Sequence, residues 1–223
     1  REYLVAGSPW SLEPYYRSLK DRPVTKDYLK VLGTGLPANW GAYDEGFDWH
    51  RAMEEEGFAR QFTAAMDCRG VLLGPAMAKA LDLSGYSKLL DIGGGSGIYA
   101  CSVVANHPDL SATVFDQASV EKIARKRVQE LGFADRVTVV GGDMLNEPLP
   151  EGYDLHLYSN VLHDWDLPEV RKLLAASFAA LEPGGMLLIH DAFINADKDG
   201  PLPVAEYSAM LMHPTQGKCY SVG

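Results

Sequence analysis

The sequence lacks a hydrophobic run of about 20 residues, the length that a helix needs to cross a bilayer. Cysteines are few and scattered, since Cys68, Cys101 and Cys219 match neither a disulfide framework nor a zinc site. Basic residues are in deficit, with 20 Lys and Arg against 30 Asp and Glu and a formal net charge of −10 at pH 7. These absences argue against a membrane protein, a disulfide-rich secreted protein and a nucleic-acid binder, which needs a basic face.

The chain starts at Arg1 without a signal-peptide pattern, and we expect a cytoplasmic protein with reduced thiols. Its 223 residues, 47% of them hydrophobic, suffice for one domain or for one domain with a small appendage. Residues 1–84 contain 11 of the 22 aromatic residues, among them Trp10, Trp40 and Trp49, and show no strand alternation. We therefore predict a helical segment over residues 1–84 and a second unit over residues 85–223.

The second unit alternates short β-rich runs with helical patterns. The runs lie at residues 88–92, 112–115, 137–140, 154–158 and 186–189. Ser119 and Asp166 stand at two helix starts, where each is a candidate N-cap. This alternation predicts an α/β fold with a doubly wound, mostly parallel sheet. Such sheets bind ligands beyond the carboxyl ends of their strands, so the residues that follow each strand form the candidate site.

A glycine-rich loop, residues 93–97, follows the first predicted strand. Glycines allow sharp turns and a close approach of the backbone to a ligand, and the next helix start offers free N–H groups. Read from Gly93, the loop fits the nucleoside-binding loop of methyltransferases; read from Gly95, it is close to a dinucleotide fingerprint. Asp116 ends the second strand and could bind a ribose diol in either case.

Three further strand ends favour the methyltransferase interpretation. Asp91 places a negative charge in the loop, which suits a ligand with ammonium and sulfonium groups and would repel a pyrophosphate. Asp143 can accept a hydrogen bond from an adenine amino group while the Met144 thioether packs on the ring. Ser159 and His163 follow the fourth strand, at the centre of the sheet, where the reacting atoms should lie.

Five motifs occur in order at these positions. They are residues 89–97, residues 114–116, residues 142–144, His163-Asp164-Trp165 and Pro183-Gly184-Gly185. Together they resemble the class I S-adenosylmethionine-dependent O-methyltransferases, of the caffeic-acid and acetylserotonin type with its bacterial natural-product relatives. The resemblance covers roughly residues 35–220. It implies methyl transfer from S-adenosyl-L-methionine to a hydroxyl of a small aromatic or polyketide-like acceptor, which leaves S-adenosyl-L-homocysteine.

The resemblance also implies roles for individual residues. His163 matches the general base. An imidazole with a pKa near 6.5 can remove the proton of a phenol, and such general-base catalysis raises the reaction rate by about 10²–10⁴-fold. Asp191 falls where the family usually has a longer Glu that steers this histidine. Met66 and Arg69 match acceptor-pocket positions, and Phe62 belongs to the same aromatic helix. The implied cofactor site consists of Asp91, Gly93, Gly95, Gly97, Asp116, Gln117, Asp143, Met144 and Ser159.

No metal-ligand spacing is present, which disfavours a Mg²⁺-dependent mechanism. We interpret the other histidines, among them His50, as structural and the basic cluster around Arg127 as a solvated helix face. The resemblance implies a homodimer in which residues 1–84 are the remnant of a dimerisation domain and the roof of the acceptor pocket. It implies that residues 85–223 are a C-terminally incomplete methyltransferase domain whose fifth strand is an open edge.

Three alternatives stay open at this point. An NAD(P)-dependent oxidoreductase would use the same glycine loop, although a pyrophosphate would then lie near Asp91. A relative that holds the cofactor could catalyse a reaction other than methyl transfer. An interaction module would use the aromatic first segment for dimerisation alone.

Overall fold

The computed structural model describes residues 7–9, 11–36 and 52–223. Trp10, Trp40, Trp49 and His50 lie outside the described residues. The described part of the first segment is helical, as predicted, and no described helix combines the length and the apolar character that a membrane span requires. Its helices are α1 (Glu13–Leu19), α2 (Pro23–Thr34) and α3 (Glu56–Ala80).

The rest of the chain forms a five-stranded parallel sheet in the order β3-β2-β1-β4-β5. This arrangement confirms the predicted α/β fold, and each predicted β-rich run lies within one of the strands. The elements are β1 (Lys88–Ile92), α4 (Ile98–Asn106), β2 (Ser111–Asp116), α5 (Ala118–Glu130), β3 (Val137–Gly141), β4 (Tyr153–Ser159), α6 (Leu167–Ala180), β5 (Leu181–His190) and α7 (Leu202–Leu211), with a 3-10 turn at Leu162–Asp164.

Side chains that alternate along the central strands supply two hydrophobic layers. Leu89 and Leu157 pack with α4 and α5 on one face of the sheet. Leu90, Ile92 and Tyr158 pack with α6 on the other face. Because both faces are covered, the central strands read as nearly continuous apolar runs, which is typical of parallel sheets.

Helix α3 packs directly on α4 through two glycines. A Cβ atom at Gly70 would lie 2.2 Å from Cγ2 of Ile98, and one at Gly74 would lie 2.5 Å from Oγ of Ser102. The helix axes can approach closely only because these positions carry no side chain. Helix α3 therefore packs against the unit that contains the sheet. The division of the chain between residues 84 and 85 stays a prediction.

Of the two predicted N-caps, Asp166 stands at the N-cap position but makes no capping hydrogen bond, and Ser119 is not an N-cap. Helix α5 begins at Ala118 with Gln117 as its N-cap, and the Ser119 hydroxyl is buried without a hydrogen-bond partner. Asp166 does precede α6, but its carboxylate accepts a bond from Nζ of Lys218 at 2.9 Å and does not cap the helix.

Candidate active site

A cleft of about 990 Å³ opens at the carboxyl ends of β1 to β4. Residues that follow these strands line one side, and α3 and α7 contribute to the other. Eleven of the fourteen predicted site residues line this cleft: Phe62, Met66, Arg69, Gly93, Gly95, Asp116, Gln117, Asp143, Met144, Ser159 and His163. The remaining three, Asp91, Gly97 and Asp191, are not among the residues that line the cleft.

The glycine loop turns between β1 and α4 with three residues in the left-handed region. Gly93, Gly95 and Gly97 have φ angles of 67°, 57° and 79°, which residues with a Cβ atom adopt only with strain. A Cβ atom at Gly95 would meet nothing within 4 Å, so the loop leaves open space on its cleft side. At Gly97 a Cβ atom would lie 3.0 Å from Val114, so the core leaves no room for a side chain there; Gly97 is not among the residues that line the cleft, and its cofactor role stays a prediction.

Asp116 ties the end of β2 to the glycine loop. Its Oδ2 accepts the N–H of Gly95 at 2.8 Å, and its Oδ1 accepts the N–H of Gln117 at 2.7 Å. Burial raises the pKa of Asp116, although both hydrogen bonds oppose the shift. The carboxylate thus lies at the rim of the cleft in a fixed orientation, with lone pairs left for a ligand.

Asp91 differs from the sequence expectation because it lies beneath the loop. The residue is fully buried, and neither carboxylate oxygen has a hydrogen-bond partner. A Cβ atom at Gly94 would lie 2.7 Å from this carboxylate, so the loop backbone covers it closely. Burial raises the pKa of Asp91 to about 7, and the negative charge of Asp116 acts in the same direction. Asp91 can therefore act on a ligand through its field but not by direct contact.

The turn after β3 is organised by Asp143. Its Oδ1 accepts the N–H of Leu145 at 2.8 Å, and its Oδ2 accepts Nδ2 of Asn146 at 2.8 Å. Burial acts to raise the pKa of Asp143, but these bonds outweigh it and lower the pKa overall. Met144 turns back toward the glycine loop, where its sulfur would lie 3.7 Å from a Cβ atom on Gly93.

A hydrogen-bonded group at the end of β4 was not predicted beyond Ser159 itself. Oγ of Ser159 lies 2.8 Å from Nδ1 of His190, the last residue of β5. Asn160 has a φ of 56° and donates from Nδ2 to the hydroxyl of Tyr99 at 3.1 Å. The Tyr99 and His190 rings are 5.3 Å apart, which closes the group. Its members meet only because β4, β5 and α4 converge here.

His163 and Asp191 form the pair that the sequence predicts. His163 is 3% exposed, and its Nδ1–H donates to Oδ1 of Asp191 at 2.5 Å. Since a carboxylate can only accept, this bond leaves Nε2 as the nitrogen with a free lone pair. Burial acts to lower the pKa of His163, but the bond to Asp191 and the charges of Asp164 and Asp191 outweigh it and raise the pKa overall. The shorter acid at position 191 reaches the histidine.

Asp164 lies beside the imidazole of His163. Its Oδ1 lies 3.7 Å from Nε2 of His163, and burial raises the pKa of Asp164 to about 6. It therefore contributes negative charge beside the free nitrogen of the histidine. Trp165, the next residue, is buried in the second hydrophobic layer, as expected for a packing residue.

Two residues beside His163 were not predicted. Gly217 packs against the backbone of the histidine turn: a Cβ atom there would lie 1.9 Å from the carbonyl oxygen of His163 and 2.6 Å from the nitrogen of Trp165. Tyr207, on α7, places its hydroxyl 3.4 Å from Nε2 of His163. No motif marks either residue, because both reach the site from more than 40 positions away in the sequence.

The acceptor side of the cleft is built on α3. Nη1 of Arg69 donates to the Tyr207 hydroxyl at 3.0 Å, and Nη2 contacts the sulfur of Met66 at 2.9 Å. The Arg69 guanidinium also lies 5.4 Å from the centre of the Tyr207 ring. Phe62 lies one helical turn before Met66, and its ring stacks on the ring of Phe58 with the ring centres 6.3 Å apart. The three predicted acceptor residues therefore share one wall of the cleft.

The basic cluster on α5 is only partly solvated, which corrects the sequence interpretation. Arg127 pairs with Asp67 of α3, with Nη2 and Oδ2 2.9 Å apart. The second oxygen of Asp67 accepts the hydroxyl of Ser96, in the glycine loop, at 2.6 Å. This group, Ser96–Asp67–Arg127, links α3, the glycine loop and α5.

The remaining described histidines have structural partners, as predicted. His107 contacts the carbonyl oxygen of Ala78 at 3.1 Å, and His213 stacks on Tyr28 with ring centres 5.4 Å apart. His156 lies in the core, where burial lowers its pKa to about 4. Within residues 7–9, 11–36 and 52–223, no three His, Cys, Asp or Glu side chains are grouped so that they could hold a metal ion.

The chain matches the O-methyltransferase domain family over residues 19–221. It is 35% identical to a 3-hydroxy-5-methyl-1-naphthoate 3-O-methyltransferase of Streptomyces sahachiroi over 175 residues, which cover 78% of the chain and 51% of the relative. It is 38% identical to the aclacinomycin 10-hydroxylase RdmB of Streptomyces purpurascens over 183 residues, which cover 82% of the chain and 48% of that protein. The structure of human N-acetylserotonin methyltransferase in complex with SAM superposes with a TM-score of 0.78 at 26% identity, with 99% of this chain and 64% of that chain covered. The chain thus spans about half the length of the curated relatives that it matches.

Proposed function

Because this chain belongs to the O-methyltransferase domain family, we propose that it transfers a methyl group from S-adenosyl-L-methionine to a hydroxyl of a small aromatic or polyketide-like acceptor. The observation that carries the proposal is His163, whose Nδ1–H is held by Asp191 while the residue lines the cleft next to the glycine loop. The naphthoate O-methyltransferase named above supports an aromatic hydroxyl as acceptor. The family match favours methyl transfer over the reaction of an NAD(P)-dependent oxidoreductase.

The cleft residues fit S-adenosyl-L-methionine. Gly95 leaves room for a ligand against the backbone, and the Asp116 carboxylate at the rim can accept bonds from a ribose diol. Met144 offers a soft apolar surface to the adenine ring beside Asp143. A ligand that carries ammonium and sulfonium groups above the loop would favour the ionised form of the buried Asp91, whose pKa burial raises to about 7. When bound, this cofactor supplies a methyl group on a positively charged sulfur.

His163 would accept the proton of the acceptor hydroxyl at Nε2. A phenol keeps its proton at pH 7, so its oxygen becomes a good nucleophile only as that proton leaves. Asp191 holds the ring in the tautomer that leaves Nε2 free and stabilises the imidazolium that forms. The aromatic and apolar wall of α3 would hold the acceptor ring in place, and such positioning supplies much of the acceleration of a displacement reaction.

Substitution of the base tests this role. We expect His163→Ala to lower turnover on a phenolic acceptor by about 10²-fold or more and to leave the affinity for S-adenosylhomocysteine nearly unchanged. Turnover is measured from transfer of a labelled methyl group, and affinity by isothermal titration. His107→Ala is the matched control, because His107 contacts a backbone carbonyl of α3 and does not line the cleft. Full turnover of His163→Ala would contradict the assignment.

Substitution of the rim carboxylate tests the cofactor site. We expect Asp116→Ala to weaken binding of S-adenosylhomocysteine by about 1–3 kcal/mol, because charge-assisted hydrogen bonds are lost. The exposed Asp109 provides the control variant Asp109→Ala, which removes a carboxylate of equal charge outside the cleft. Equal affinities of the two variants would refute the assignment of Asp116, and tight binding of NADH would refute the cofactor.

A second candidate function rests on the relative that is a hydroxylase. In that case the cleft would hold the cofactor while another reaction takes place on the acceptor. Loss of turnover in His163→Ala supports methyl transfer to a hydroxyl, since that reaction requires removal of the hydroxyl proton. Mass spectrometry of the products adds a direct readout, since methyl transfer adds a CH₂ unit to the acceptor.

For the whole protein we keep three further proposals. The first is a homodimer, which is supported by the exposed apolar side chains of α1 and α2, among them Tyr15, Val24 and Leu29. The second is a cytoplasmic location, which is supported by the free thiols of the three cysteines. The third is the division into residues 1–84, with dimerisation and pocket-roof roles, and residues 85–223, with the cofactor site. Light scattering of the purified chain tests the first.

A further inference from the structure

Arg69 is a cleft-lining guanidinium whose polar partners are neutral. We infer that it binds a carboxylate on the acceptor, so that the acceptor class is that of hydroxyaryl carboxylic acids; this inference rests on the proposed methyl transfer at His163. It adds a charge requirement to the α3 wall of the cleft, where Phe62 and Met66 are the other predicted acceptor residues.

The first argument is the state of the guanidinium. Arginine has five N–H donors, and Arg69 directs two of them to a phenol oxygen and to a thioether sulfur, a weak acceptor. Across the described ranges no carboxylate lies within ion-pair distance of Arg69. The nearest acid in the sequence, Asp67, is already paired with Arg127 and bonded to Ser96.

The second argument is that such a cation has donors left for a partner. Arg69 is half-buried on the cleft wall, and Asp164 acts on it through its field without an ion-pair contact, so the guanidinium keeps N–H donors for a further acceptor. A carboxylate matches the planar fork of a guanidinium and can accept two parallel hydrogen bonds. The cleft side of Arg69 therefore has the donors and the charge that recognise this group.

The third argument is the distance to the base. Tyr207 lies between the two groups, with its hydroxyl 3.0 Å from Nη1 of Arg69 and 3.4 Å from Nε2 of His163. These two distances limit the separation of Nη1 and Nε2 to 6.4 Å at most. One aromatic ring can therefore present a hydroxyl to His163 and a carboxylate, on the same or the adjoining side of the ring, to Arg69.

The surrounding charges make Arg69 necessary for such an acceptor. Asp164 and Asp191 both face His163, so this end of the cleft is otherwise negative. Without Arg69, an acceptor carboxylate would be repelled by these two acids. The hydroxyls of Tyr207 and Tyr99 also lie near the guanidinium, but neither supplies positive charge. Arg69 thus supplies positive charge that offsets these two acids for an anionic acceptor.

Fluorescence titration in the absence of methyl donor tests the inference. The probes are 3-hydroxy-2-naphthoate and its amide, 3-hydroxy-2-naphthamide, which share the ring and the hydroxyl and differ in charge. We expect the chain to bind the acid at least about 10-fold more tightly than the amide, as a charge-assisted bond to Arg69 requires. Arg69→Gln should abolish that preference, and Arg69→Lys should retain part of it because the charge remains.

Tyr207→Phe is the control for a purely structural role of Arg69. This variant removes the hydroxyl that Arg69 holds but keeps the guanidinium, so the preference for the acid should persist. Equal binding of acid and amide, no detectable binding of the acid, or an unchanged preference in Arg69→Gln would overturn the inference. Because the readout needs no methyl transfer, a chain that prefers the acid but never methylates it would refute the proposed function and not this site.

Discussion

Gly217→Ala is the perturbation whose effect can be worked out most directly from the structure. Gly217 does not lie in the left-handed region, so its backbone can carry an alanine without strain. The added Cβ atom would lie 1.9 Å from the carbonyl oxygen of His163, whereas Cβ atoms essentially never approach a neighbour closer than 3.0 Å. The backbone of Gly217 or of the histidine turn must therefore move by at least about 1 Å, and misplacement of that size can lower turnover by about 10²-fold.

The assay compares turnover, cofactor affinity and stability. We expect turnover of a phenolic acceptor to fall by about 10²-fold, while the affinity for S-adenosylhomocysteine changes little because the glycine loop is formed by other residues. Gly57→Ala is the matched control, since a Cβ atom at Gly57 would meet nothing within 4 Å. Circular dichroism and thermal unfolding show whether the Gly217→Ala chain is still folded when its turnover is measured.

Two outcomes would contradict this reasoning, and a third would support it. Turnover within twofold of the unmodified chain would show that the histidine turn does not depend on the space at Gly217. A loss of cofactor affinity equal to the loss of turnover would show that the substitution disrupts the whole sheet edge. A selective loss of turnover would support the catalytic placement of His163.

Turnover should rise with pH through a midpoint above 6.5, because the base must be neutral and the pKa of His163 is raised. Asp191→Asn removes the main partner that raises this pKa, so the midpoint should move to lower pH while turnover falls about tenfold. Asp91 has a pKa of about 7 in the folded state, against an ordinary value of 3.8, so between these pH values the folded state holds a proton that the unfolded state has released. The stabilisation of the folded state by this proton is full at low pH and is lost as pH rises toward 7. This loss amounts to at most about 4 kcal/mol in urea unfolding, and Asp91→Asn should reduce the pH dependence, of which the raised pKa of Asp164 leaves a part; an identical slope would contradict the burial argument. Asp67→Asn should lower the free energy of unfolding by about 1–3 kcal/mol, because Arg127 loses its partly buried partner, whereas no change would mean that the pair is replaced by water.

Local patterns in the sequence predict the sheet and most of the cleft. The ends of β1, β2, β3 and β4 carry Gly93, Asp116, Asp143 and Ser159, and parallel strands bring their carboxyl ends to one edge. The short β-rich runs that identify the strands are a property of neighbouring residues, so they can be read without knowing the rest of the fold. The placement of the predicted residues therefore follows from the topology.

Other features depend on contacts that the sequence does not encode locally. Gly95 and Gly97 belong to one motif, yet one faces open space and the other packs on β2, because the loop reverses direction between them. Tyr207 and Gly217 reach the histidine turn from the segment after β5, and Arg127 finds its acid on α3. These partners are set by how helices cross, which composition and spacing do not specify.

The link from Ser96 through Asp67 to Arg127 has a consequence for how acceptor preference can diversify. Asp67 lies two residues before Arg69 on α3. The helix with the predicted acceptor residues is therefore also hydrogen-bonded to the glycine loop on the predicted cofactor side. Any rigid displacement of this helix would distort both halves of the cleft at once. New substrate ranges should therefore arise by exchange of single side chains along its surface, with the helix axis left in place.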